Sequence, residues 1–194
     1  MSQSVPRFSS KRERHLWTWT LAVVVAIYST LGLAGTLAGA VSQDLLAAGV
    51  LLCMLLVLAT IVTQGLRVRP GGAEIGIALG IAAAYILVFL RMNGSVAERT
   101  HLMEYGVVGV FIHEALTERA SQGRRVPVPA LLAILATTLV GVLDEGIQSI
   151  LPSRVFDPVD MLFNFLAAVM AVTASAALRW ARRLALRRFN SKRI

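Results

Sequence analysis

Apolar and polar positions fall in blocks along this chain. Six apolar runs alternate with short polar stretches: Leu16 to Ala38, Leu45 to Leu66, Glu74 to Leu90, Thr100 to Leu116, Val128 to Leu151 and Pro158 to Leu178. Each is close to the ~17–25 residues that a helix needs to cross a hydrocarbon layer, the third being the shortest. The pattern predicts an all-α fold, a polytopic transmembrane bundle of about six spans. Its parts would be a basic arm over 1–15, three spans within 16–94, a core of spans four to six over 95–178, and a basic tail over 179–194. No internal repeat or low-complexity segment interrupts the plan. Trp17 and Trp19 open the first run, as aromatic side chains do at a membrane interface. Ala38-Gly39-Ala40 has the small-residue form of a signal-peptidase site, but the run before it is longer than a signal core, so an uncleaved anchor is expected.

Composition supports the same class. Of 194 residues, 56% are hydrophobic and only 15% charged, with a mean hydropathy of +0.69. A soluble domain would carry about 25% charged residues. Cys53, the single cysteine, lies inside an apolar run and forms no intrachain disulfide.

The net charge of +8 raises nucleic acid as a partner, but its distribution argues for membrane orientation instead. With six spans both termini share a side, and 16 of the 19 Lys and Arg fall there. Arg91, Arg99 and Arg154 fall on the other. By the positive-inside rule both termini are cytoplasmic. Seven of the 11 acidic residues show the opposite bias, lying at outer span ends or in outer loops. The tail sequence RWARRLALRRF suits a basic amphipathic helix on an anionic inner leaflet.

Candidate chemistry concentrates between Gly141 and Val172. Asp144, Glu145, Gln148, Arg154, Asp157 and Asp160 lie between two apolar runs, and Asn164 sits inside the second. A charge at the bilayer centre costs roughly 2.5–3.5 kcal/mol on insertion scales, so these residues form either a site or a paired structural corner. On span four, Glu98, His101 and Tyr105 follow i, i+3, i+7 spacing and share a helix face, with Glu104 beside it. On span five, Gln148 is four residues from Asp144 and three from Glu145. On span six, Asp157, Asp160 and Asn164 repeat the i, i+3, i+7 spacing. His101 and Arg154 are the expected cationic partners of the span-five acids, with Arg154 folding back over them through the Pro152 turn.

Plainer roles exist for most of these groups. Asp157-Pro158-Val159-Asp160 is a good helix start, with Asp as N-cap, Pro at N1 and an acid at N3. Asn164 can hydrogen-bond a neighbouring helix. His101 suits a satisfied interface histidine, Tyr105 an interfacial belt, and Glu98 and Arg99 a loop. Adjacent Asp144 and Glu145 inside a span are hardest to explain without a site. His113-Glu114 forms a second polar pair towards the cytoplasmic end, outside any HExxH motif because position 117 is Thr117.

At these residues the chain resembles the VanZ-like family of bacterial membrane proteins. The resemblance runs over about residues 95–175. It rests on Glu98-Arg99, His101-Leu-Met-Glu104-Tyr105, Asp144-Glu145-Gly-Ile-Gln148, Pro152-Ser-Arg154, Asp157 or Asp160, and Asn164. Two departures stand out. The family often has Asp-Lys before the histidine, and glycines after the asparagine where this chain has Ala167 and Ala171. The resemblance implies a multi-pass protein of the bacterial cytoplasmic membrane, and the charge bias turns the polar stretch towards the exterior. The founding member lowers susceptibility to teicoplanin without the enzymes that rebuild the peptidoglycan target.

Three functions are open on these residues. One is an outer-leaflet pocket that binds or modifies an anionic lipid-linked cell-wall headgroup. Arg154, Arg99 and His101 would contact phosphate, and Asp144 and Glu145 would orient them or act as base. Tyr105, Gln148, Asp160 and Asn164 would line it. Another is an intramembrane hydrolase of lipids or polyprenyl phosphates with a divalent metal on His101, Asp144, Glu145 and Asp160. The last is a structural or accessory subunit in which the polar groups lock helices together.

Overall fold

The computed structural model describes residues 7–30, 72–91, 96–151 and 157–191, with isolated positions between 42 and 55. Most of the expected second span lies outside the described residues. Five helices and no strand occur among those described: α1 (Lys11–Thr30), α2 (Gly72–Arg91), α3 (Val96–Ser121), α4 (Pro129–Gln148) and α5 (Pro158–Ser191). The described fold is all-helical. Among the described residues, three stretches are long and apolar enough to cross a membrane: α2, α4, and Pro158–Leu184 of α5.

α3 lies at the centre, and Glu98, Arg99, Glu104, Glu114, Glu118 and Arg119 punctuate its sequence. It packs against α1, α4 and α5, and α4 and α5 pack on each other. Leu102, Tyr105, Val108, Ile112 and Ala115 are all buried along it. Enclosure by neighbours lets its polar groups meet protein instead of hydrocarbon. Two apolar clusters hold the bundle. Tyr85 and Phe89 of α2 meet Leu102, Tyr105 and Ala167, and Ile27 of α1 meets Val108, Ile112, Ala133 and Val172.

α4 is arranged inside out relative to a helix of a soluble protein. Its buried stripe is Ala133, Thr137, Gly141, Asp144, Glu145 and Gln148. Its exposed face carries Leu131, Leu135, Leu139, Val142 and Leu143. An apolar outside around a polar inside is the pattern of a helix solvated by lipid. α5 follows suit: Asp160, Asn164, Ala167, Ala168 and Ala171 face inward, while Val159, Leu162, Phe165 and Leu166 face out. The small alanine side chains permit close helix approach.

Helix ends follow local chemistry. The Asp157 carboxylate accepts the Val159 N–H at 2.8 Å, the expected N-cap of α5, with Pro158 at its first position. α3 closes in a Schellman arrangement. The Gly123 N–H donates to the Ala120 carbonyl at 3.1 Å and the Arg124 N–H to the Arg119 carbonyl at 3.3 Å, with Gly123 at φ 78°. α5 continues from the apolar run into the basic stretch after Leu178 without a break.

Candidate functional site

Two polar clusters occupy opposite ends of the bundle. The first gathers the start of α3, the end of α4 and the start of α5. His101, Tyr105, Asp144, Glu145, Gln148, Asp160 and Asn164 are all buried there. Asp144, Glu145 and Asn164 are 0% exposed. These residues lie up to 63 positions apart in sequence, and antiparallel packing of three helices brings them together.

The i, i+4 spacing of His101 and Tyr105 places their rings in a stack, with centroids 5.8 Å apart and an interplanar angle of 18°. The Tyr105 hydroxyl donates to Asp144 Oδ2 at 2.7 Å, tying α3 to α4. His101 Nε2 lies 3.7 Å from Asp160 Oδ2 on α5. Glu145 is oriented from both sides: the Gln148 amide donates to Oε1 at 3.3 Å, and the Asp157 N–H donates to Oε2 at 3.4 Å. His101, Glu145 and Asp160 therefore converge from three helices. Each offers one potential ligand atom, and these atoms lie within 4.8 Å of one another.

Several buried atoms of the cluster are left over. Among the described residues, Asp144 Oδ1 and both amide atoms of Asn164 have no hydrogen-bond partner. An unsatisfied buried polar group costs about 1–3 kcal/mol. A carboxyl group buried this deeply is protonated, paired with a cation or bound to a metal ion, and Asp144, Glu145 and Asp160 are all buried here. Among the described residues, no Lys or Arg forms a salt bridge to Asp144 or Glu145.

The expected site residues divide as follows. His101, Tyr105, Asp144, Glu145, Gln148, Asp160 and Asn164 share one pocket. Arg99 lies at its edge, half-buried, with its guanidinium carbon 5.4 Å from the centroid of the Phe89 ring. Arg154 and the Glu98 side chain lie outside what is described, and with them the fold-back of Arg154. Asp144 takes its hydrogen bond from Tyr105, and the histidine lies by Asp160 instead. Gly141 was not singled out from the sequence. A methyl group there would stand 2.7 Å from Asn164 Cβ, so this glycine sets the approach of α4 to α5 beside the pocket. Its signal was its position four residues before Glu145, on the same helix face.

The second cluster ties the start of α1 to the ends of α3 and α5. Arg12 bridges Glu114 at 2.8 Å and Glu118 at 3.0 Å, and Arg179 of α5 also reaches Glu114. Ser175 Oγ lies 3.0 Å from His113 Nδ1 and donates to Glu114. His113 and Glu114 are thus parts of a helix clamp. Arg119 pairs with the fully buried Glu13 at 2.8 Å, and the Ser9 backbone and hydroxyl cap the same carboxylate. Burial alone would raise Glu13, but hydrogen bonds from Ser9 and Arg119 outweigh it and hold the carboxyl below its ordinary 4.5. The Ser10 hydroxyl, with help from Gln122 and Arg12, does the same for Glu118. The beginning of α1 and the Arg179 turn of α5 therefore sit together, at the end of the bundle away from the His101 pocket.

No protein-family profile, curated protein or solved structure matches the chain.

Proposed function

We propose that this chain is a VanZ-like integral protein of the bacterial cytoplasmic membrane, with six spans and both termini in the cytoplasm. In this reading its pocket faces the outer leaflet and binds or modifies the anionic headgroup of a lipid-linked cell-wall intermediate. The observation that carries the reading is the convergence of seven buried polar side chains from three helices at one end of a bundle whose outer surface is apolar. Intramembrane ionisable groups at such density mark substrate or ion sites. The clamp of Arg12, Arg119 and Arg179 at the opposite end agrees with a cytoplasmic basic side. Arg99, on the rim against Phe89, supplies positive charge where a phosphate would enter.

The test is a lipid analysis in one host strain carrying empty vector, wild type or Glu145→Gln at matched membrane abundance. Lipid-linked cell-wall intermediates and polyprenyl phosphates are quantified by mass spectrometry, alongside growth thresholds for teicoplanin and vancomycin. A wild-type change in the lipid pool, with a raised teicoplanin threshold, that Glu145→Gln abolishes is the expected result. Identical pools and thresholds in all three strains would overturn the reading and leave the pocket a helix-locking role.

A further inference from the structure

We propose that His101, Glu145 and Asp160 form a buried site for a divalent cation of the manganese type, completed by water held against Asp144 and Asn164. The proposal stands apart from the headgroup reading, because it concerns the metal alone.

Geometry comes first. Three ligand atoms from three helices lie within 4.8 Å of one another. Six-coordinate geometry with bonds of about 2.1 Å places trans ligands about 4.2 Å and cis ligands about 3.0 Å apart. His101 Nε2 and Asp160 Oδ2, at 3.7 Å, fall between the two. The three side chains would close further on a bound ion. Donor chemistry selects the ion. Two carboxylates suit hard, six-coordinate ions, and one imidazole favours a transition metal over calcium or magnesium. The two carboxylates also balance the charge of a divalent ion.

Supporting groups hold the ligands in place, as outer-shell partners do in metal sites. Gln148 and the Asp157 N–H each engage one oxygen of Glu145 and leave further lone pairs on both. Tyr105 stacks on the His101 ring while its hydroxyl is anchored to Asp144. A separate observation points to the ligand. Asn164 lies one turn beyond Asp160 on the same face of α5, and it is fully buried with neither amide atom bonded among the described residues. Asp144 Oδ1 is likewise buried and unpartnered among them. Side chains that merely locked helices would satisfy each other pairwise. Waters completing an ion's coordination shell would instead donate to Asp144 Oδ1 and Asn164 Oδ1.

The experiment uses the full chain purified in detergent, stripped with a chelator and titrated with Mn²⁺, with free ion counted by electron paramagnetic resonance. About one ion per chain is expected, with Glu145→Gln and Asp160→Asn each weakening binding by at least about tenfold. Glu114→Gln, at the opposite end of the bundle, should leave binding unchanged. Echo-envelope spectroscopy of the wild-type Mn²⁺ complex should show nitrogen coupling from one imidazole, lost in His101→Gln. That readout needs no carboxylate variant to fold. Absence of nitrogen coupling, or binding indifferent to Glu145→Gln and Asp160→Asn, would mean an adventitious ion only and would overturn the proposal. The cell-wall lipid assay is independent of either result.

Discussion

Gly141 and Asn164 fit together so closely that a single methyl group would separate them. A Cβ on Gly141 would lie 2.7 Å from Asn164 Cβ and 2.9 Å from Nδ2. α4 and α5 therefore meet across a glycine one turn from Glu145. Gly141→Ala is expected to destabilise the protein by about 1–3 kcal/mol, because Asn164 Cβ is fixed to the backbone and α4 and α5 must move apart. Gly109→Ala is the control. Its methyl would meet Thr137 Oγ1 at 3.5 Å and Ala168 Cα at 3.6 Å, which is ordinary contact. Thermal unfolding in detergent should show a lowered midpoint for the first variant and little change for the second.

Tyr105 is the one hydrogen-bond partner of Asp144 among the described residues. Tyr105→Phe leaves that carboxyl buried with neither oxygen bonded and is expected to cost about 1–3 kcal/mol. Removing both polar groups, in Tyr105→Phe with Asp144→Leu, should recover part of the loss. A double-mutant cycle on unfolding free energies checks this, and additive losses would mean that the bond contributes nothing.

Acid should loosen the opposite end first. Glu13 and Glu118 are held below their ordinary 4.5 in the folded protein. Their contribution is fully present above about pH 4.5 and is lost as pH falls through the lower folded values. Unfolding midpoints measured from about pH 7 to pH 3 should drop below pH 4.5. Glu13→Gln combined with Glu118→Gln should start lower at neutral pH and fall less steeply. An equally steep fall in that variant would place the acid sensitivity elsewhere.

Gly123 holds φ 78° where α3 turns back. Gly123→Ala forces a side chain into the left-handed region and is expected to cost about 1 kcal/mol, read as a lower unfolding midpoint. Gly123→Asn should lose less, since asparagine tolerates that conformation.

Three of the helices and most residues that gather in the pocket were legible in the sequence. Long apolar runs interrupted by charge can only be helices that bury their backbone polar groups, and α2, α4 and α5 follow those runs. Asp157-Pro158 announced the start of α5 because capping is a local interaction. Helical spacing alone put His101 beside Tyr105, and Glu145 beside Gln148. The partners that each helix face meets were not legible there. Nothing local could pair Tyr105 with Asp144, set His101 against Asp160, or seat Asn164 on Gly141. Each of those contacts crosses between helices and depends on their packing distance and rotation. The same holds for Arg12, Glu114 and Arg179, which three separate helices bring to one point. Periodicity specifies a helix and its face, but only the packed bundle selects the partner that each face meets.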